Sequence, residues 1–319
     1  MFRSHMLRKL QSTAPWITGP ALIGVLIGHG PGLVAGLVVG GLYVVIAAFG
    51  GDKVPSDVFG ARLMDTAEAL NVPELVDKYA ERAGITAPSL YVIAIDEPNV
   101  LVWASSAGRG SYTRIGVPPG LEDALAPGEV EALMALAVAR VASGEAAVLT
   151  FGASLAGLAL QPFLSRAVNA TLGVLRRDPD TRLTPVGGAM VTLLAPASRL
   201  SLRGVMPEGT LEWSDAYAAR MLGDSVLLAS ALGKLASAGP ATDTGKIRAY
   251  NPGLVPMFLV SPYEKLNAVA DAVRWPASVV SWIAQAAPTV VGRTQKLMDM
   301  AGNGPGSGDA GNPAPSDVR

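Results

Sequence analysis

Residues 16–49 run without an Asp, Glu, Lys or Arg. A membrane helix needs ~20 residues, so this stretch is too long for one simple span, and the punctuation Gly28-His29-Gly30-Pro31-Gly32 predicts a hairpin of two apolar helices. A cleaved signal peptide shares the basic start at residues 1–9, but the apolar stretch continues well past a usual hydrophobic region. Gly32, Gly36 and Gly40 recur at four-residue spacing on the second arm, and Gly24 and Gly28 repeat the device on the first. Such a smooth ridge lets a second helix approach closely, whether the other arm or an outside partner. Arg3, Arg8 and Lys9 precede the hairpin, and an even number of crossings returns the chain to the side on which it started. The expectation is a multi-pass protein of a bacterial-type cytoplasmic (inner) membrane, with its main domain cytoplasmic.

Beyond the hairpin the pattern alternates between helix and strand. Ala69, Leu70, Val76, Tyr79 and Ala80 fall at helical spacing, and Gly84 marks that helix's end. The segment from Ser89 and the runs VLVWASS and SYTRIGV read as three strands of a small antiparallel sheet. Residues 129–145 form an apolar helix. The uncharged run 146–165 could cross or enter the membrane, whereas 185–198 is shorter and fits a buried or re-entrant helix better than a span. LNAVADAVRWPASVVSWIAQ is amphipathic and carries Trp275 and Trp282, which suits a membrane surface, a cover over a cleft, or core packing alike. Residues 301–319 have the composition of a flexible tail.

Composition narrows the chemistry. A net charge of −1 gives no electrostatic footprint for nucleic acid. There is no cysteine, and the two histidines are His5, in the N-terminal tail, and His29, in the hairpin turn. Serine–histidine catalysis lacks its base in the main domain, and a catalytic zinc site held by carboxylates alone would be unusual.

The separated motifs resemble, in order, those of the HtpX-type membrane zinc metallopeptidases. After the hairpin comes GGDKVPSDVFGARLMD, with Asp52, Lys53, Gly60, Ala61 and Arg62 matching, and then DKYAERAGITAP. LEDALAPGEVEALMALAVARVASGE follows the apolar pattern of the family's active-site helix, and TLEWSDAYAARMLGDSVLLASALGKL aligns through Asp215, Gly223 and Asp224. NPGLVPMFLVSP adds Asn251, Pro252, Phe258 and Pro262, and a degraded closing motif surrounds Pro288, Thr289 and Arg293. The resemblance implies an α+β chain: a basic cytoplasmic tail (1–15), a transmembrane hairpin (16–50), a mainly helical zincin-like domain with a small antiparallel sheet (51–300), and the tail 301–319. One or two further membrane-associated helices are expected at 146–165 and 185–198.

In that family H-E-x-x-H supplies two zinc-binding histidines one helical turn apart with a general-base glutamate beside the metal-bound water. Here Leu136 and Arg140 stand at the histidine positions, Ala137 at the glutamate, and Leu211 at the third ligand. Leucine offers no lone pair, and arginine is permanently protonated and repels a cation. Zinc is the cofactor the family implies, yet its ligands are missing, so no cofactor is expected. Asp215 can neutralise Arg140 in an ion pair that replaces the metal, although a helix-end or surface role explains it equally well. Asp96, Asn99, Val100 and Leu101 correspond to the family's peptide groove, while Asp-Glu-Pro-Asn also satisfies ordinary turn chemistry. The expected function is that of a catalytically inactive peptidase homologue, a membrane scaffold, adaptor or subunit whose partners are the lipid bilayer and a membrane protein. The alternative is an active membrane metalloendopeptidase of protein quality control using ligands such as Asp215 and Glu212.

Overall fold

The computed structural model describes residues 2–51, 53, 58–65, 71–95, 97–105, 112–164, 185–207, 209–238, 251–264 and 277–302. Helix α1, Phe2–Gly50, is broken at Gly28 (φ −136°, ψ 16°) and His29 (φ 50°, ψ −125°). Its two halves fold back on each other. A Cβ on Gly24 would lie 2.0 Å from the carbonyl oxygen of Gly32, one on Gly36 2.2 Å from that of Pro20, and one on Gly40 2.5 Å from that of Trp16. Residues eight apart in a straight helix would be separated by ~12 Å, so these contacts require a reversal. Gly28 has nothing within 4 Å of its added Cβ and belongs to the turn instead of the packed ridge. The outer faces of both arms are apolar and open, with Leu26, Ile27, Val34 and Val38 all exposed.

The basic N-terminal segment is not a separate tail. It continues α1 and lies along the main domain, where Arg8 Nε donates to the Val205 carbonyl at 3.0 Å and the Ser201 hydroxyl donates to the Ser12 carbonyl at 3.0 Å.

Four strands follow in chain order: β1 (Arg62–Leu63), β2 (Ser89–Val92), β3 (Leu101–Ala104) and β4 (Thr113–Val117). The sheet order is β1-β2-β4-β3. The expected antiparallel sheet is in fact mixed: β2 runs parallel to β4, from Ser89 opposite Arg114 to Val92 opposite Val117, while β3 pairs with β4 antiparallel. Strand β3 is the edge strand on the far side of β4 from β2, and all four of its residues are buried.

Helix α2 (Val72–Ala83) ends as expected at Gly84, whose φ of 66° is the left-handed conformation that suits glycine. After α3 (Leu121–Ala124) come α4 (Pro127–Ala142) and α5 (Glu145–Leu164), bent by 83° at the break between them. Next are α6 (Pro185–Val205), α7 (Thr210–Leu222), α8 (Ser225–Ala238), a 3-10 turn (Pro252–Met257), α9 (Ala277–Ala284) and α10 (Val290–Gly302). Two layers result. Helix α4 is the centre of one core, with Leu133 and Leu136 packed among Val102, Ile115, Leu228 and Leu297. Helices α5 and α6 pack on each other and on α1, where Trp16, Ala47, Phe151 and Leu155 are buried together. The two helices cover the uncharged runs 146–165 and 185–198, up to Leu164 and beyond 198 to Val205, respectively. Trp275 and the tail beyond Gly302 lie outside the described residues.

Candidate functional site

The cleft that the motifs predict is bounded by α4, α7 and α10 and by the segment that follows the 3-10 turn. Helix α4 is apolar on nearly every face, and Leu136, Ala137 and Arg140 are all buried. Leu211, in the first turn of α7, is buried as well. None of these four side chains can donate an electron pair to zinc, so the residues at the ligand positions do not fit that metal. Among the described residues no group of three His, Cys, Asp or Glu side chains is placed to hold any metal ion.

Arg140 is 1% exposed and spans the cleft. Its Nη1 donates to the Phe258 carbonyl at 2.7 Å and its Nη2 to the Leu259 carbonyl at 3.1 Å, whereas its Nε has no hydrogen-bond partner. The expected Arg140–Asp215 ion pair is not formed. Asp215 instead receives a bidentate pair from Arg293 of α10, Nε to Oδ2 and Nη2 to Oδ1, both at 2.7 Å. The planar guanidinium fork of Arg293 meets the carboxylate edge-on, a geometry Arg140 forgoes by turning to the carbonyls. Arg293 Nη1 also donates to the Leu259 carbonyl at 2.6 Å, so two arginines converge on one backbone segment.

Burial, and then the like charge of Arg293, push the Arg140 pKa down to about 10. Burial works against the Arg293 charge too, but the adjoining Asp215 outweighs it and raises that pKa. A second buried acid, Glu145 at the start of α5, is pushed up to about 7, chiefly by burial and against the attraction of Arg140 and Arg8. Its Oε2 has no hydrogen-bond partner.

The predicted groove is closed by the chain itself. Asp96 lies outside the described residues, and Asn99, Val100 and Leu101 are buried. Asn99 Nδ2 donates to the Val260 carbonyl at 2.7 Å, and its Oδ1 accepts from Val100 N at 2.9 Å. Leu259 N donates to the Val100 carbonyl at 2.9 Å, Leu101 forms an antiparallel bridge with Phe258, and further along the strand Ala104 N donates to Thr150 Oγ1 at 3.0 Å. Residues 258–260 therefore occupy the β3 edge that an added peptide would need, and the groove reading of Asn99, Val100 and Leu101 is corrected accordingly.

The two acids considered as unconventional ligands are also engaged. Glu212 pairs with Lys296, and Asp215 with Arg293. The closing motif contains Arg293 but gives it no role. Its signal lies in α10, where Val290, Arg293 and Leu297 share one buried face, and an arginine inside an apolar stripe requires an acid opposite it.

No family model matches the chain. It is similar to a protein from Thermococcus kodakarensis described as Protease HtpX homolog, at 26% identity over 217 residues, covering 68% of this chain and 72% of that protein. This similarity supports membership of the HtpX-like family and, with the long apolar N-terminal helix, a membrane protein.

Proposed function

Given its membership of the HtpX-like family, we propose that the chain is a catalytically inactive, membrane-anchored homologue that acts as a scaffold, adaptor or subunit for a membrane-protein partner. The observation that carries this reading is Arg140: a permanent cation at a metal-ligand position, engaged by the carbonyls of residues 258 and 259, stands where the peptidase chemistry needs a neutral donor. Ala137 leaves no base to activate water, and Leu211 completes an apolar wall. The hairpin of α1, with residues 146–164 of α5 and 185–198 of α6 beside it, is the multi-pass anchor, and the basic start of α1 sets the main domain on the cytoplasmic face.

The alternative, a metallopeptidase using Glu212 and Asp215, requires both carboxylates to leave their cationic partners. Metal analysis of the detergent-purified protein alongside a casein cleavage assay separates the two. The scaffold reading expects substoichiometric zinc and no chelator-sensitive cleavage; stoichiometric zinc with cleavage abolished by a chelator sinks it. Affinity capture of the intact protein from its native membranes is then expected to retain a membrane protein in stable proportion.

A further inference from the structure

A cavity of about 620 Å³ opens beside Leu211, where the C-terminal end of α6, the start of α7 and α10 meet. Its walls combine apolar surface from Met206, Leu211 and Pro288 with the charged groups Arg203, Glu212 and Lys296. Arg203 is exposed and has no acceptor among the described residues. Arg293 also reaches the wall, but Asp215 neutralises it. Among the described residues, with Glu212 set against Lys296, one positive charge of the cleft, that of Arg203, is left without a counter-charge.

The surroundings say where the cavity sits. Helix α6 runs antiparallel to the first arm of α1: Val205 is level with Arg8, Ser201 with Ser12, and Leu194 and Ala197 with Trp16, where the charge-free hairpin begins. On its outer face α6 exposes Leu200 (59%) and then Leu193 (70%), in sequence from the cavity toward the hairpin. One turn from Arg203, Arg199 stacks over the ring of Trp282 at 4.6 Å and donates to the Trp282 carbonyl. A cation at the mouth of a cavity, an exposed leucine stripe running from it along the anchor, and an Arg-stacked tryptophan at the same level form an interfacial arrangement.

We propose that this cleft and the adjoining face of α6 hold one anionic phospholipid, its phosphate against Arg203 and Lys296 and an acyl chain along Leu200 and Leu193. The single net positive charge of the described lining groups matches the one uncompensated negative charge of an anionic phospholipid. The apolar stripe gives a soluble phosphate no advantage and a diacyl lipid a large one. Glu212 limits the affinity, because its carboxylate competes for Lys296 and repels the phosphate. The inference rests on the reading of the hairpin as a membrane anchor.

The test is lipid binding by the intact protein in mild detergent, read by native mass spectrometry with dioleoyl phosphatidylglycerol, dioleoyl phosphatidylcholine, and inorganic phosphate as competitor. Phosphatidylglycerol is expected to bind about tenfold more tightly than phosphatidylcholine, the scale of one charge-assisted hydrogen bond. Arg203→Gln should erase that preference. Glu212→Gln should strengthen it, an opposite change that a merely misfolded variant would not give. Equal binding of the two lipids, an Arg203→Gln variant with full preference, or displacement of the lipid by millimolar phosphate overturns the site. A protein that binds neither lipid and stays soluble without detergent overturns the anchor reading itself.

Discussion

The hairpin of α1 and the cleft around Arg140 both depend on close approach to backbone, yet opposite physics holds them. In the hairpin, glycine removes side chains so that carbonyls of one arm touch the α-carbons of the other, and the outer faces are left apolar and open. In the cleft, two long cations reach buried carbonyls, and Asp215, Phe258 and Leu259 are enclosed with them. The first arrangement leaves an apolar surface that the described fold does not cover, whereas in the second the arginines meet their acceptors within the fold. A buried position must be filled, and here the filling is an arginine whose hydrogen bonds run to the chain's own backbone.

The largest effect is expected where charge is buried. Arg293→Met leaves Asp215 uncompensated and should cost roughly 3–5 kcal/mol, whereas Arg293→Met combined with Asp215→Leu should recover most of it. Chemical denaturation in detergent measures both, and equal losses in the single and double variants would show that the pair is not the connection described. Glu145 comes next. Its pKa rises from 4.5 to about 7 on folding, so the folded state holds a proton that the unfolded state has released. Stability should then fall as pH rises through that window, by up to about 3 kcal/mol, and level off above it. Glu145→Gln should flatten the profile; an unchanged slope would assign it to another group.

The hairpin gives the next smaller change. Gly24→Leu drives a side chain into the Gly32 carbonyl and should cost roughly 1–3 kcal/mol, read as a lowered melting temperature in detergent, whereas Gly28→Ala should be nearly silent. Equal effects at the two positions would mean that the arms do not pack as described. The smallest belongs to the exposed Lys296–Glu212 pair, for which Lys296→Met should change stability by less than ~1 kcal/mol.

Much of the frame was legible in the sequence because its signals are local. The charge-free run with a glycine-rich middle gave the hairpin, Gly84 the end of α2, and the motif order the succession α4 to α10. That Leu136, Ala137, Arg140 and Leu211 offer no lone pair to a metal was equally legible, since a residue's donor capacity belongs to its type. The partner of Arg140 was not. An arginine can satisfy its guanidinium on any acceptor, and the carbonyls of Phe258 and Leu259 are separated from it by well over a hundred residues. The parallel pairing of β2 with β4 was hidden for the same reason: alternation reports that a strand exists but not which neighbour it takes.

The sequence by itself determined the apolar anchor, the order of elements and the absence of metal-binding groups at the ligand positions, because each follows from composition or spacing along the chain. Only the tertiary structure decided that Arg293 takes Asp215, that Arg140 holds residues 258 and 259, and that the edge of β3 is closed. Those outcomes turn on which buried donors and acceptors end up within about 3 Å of one another, a competition that is resolved in three dimensions.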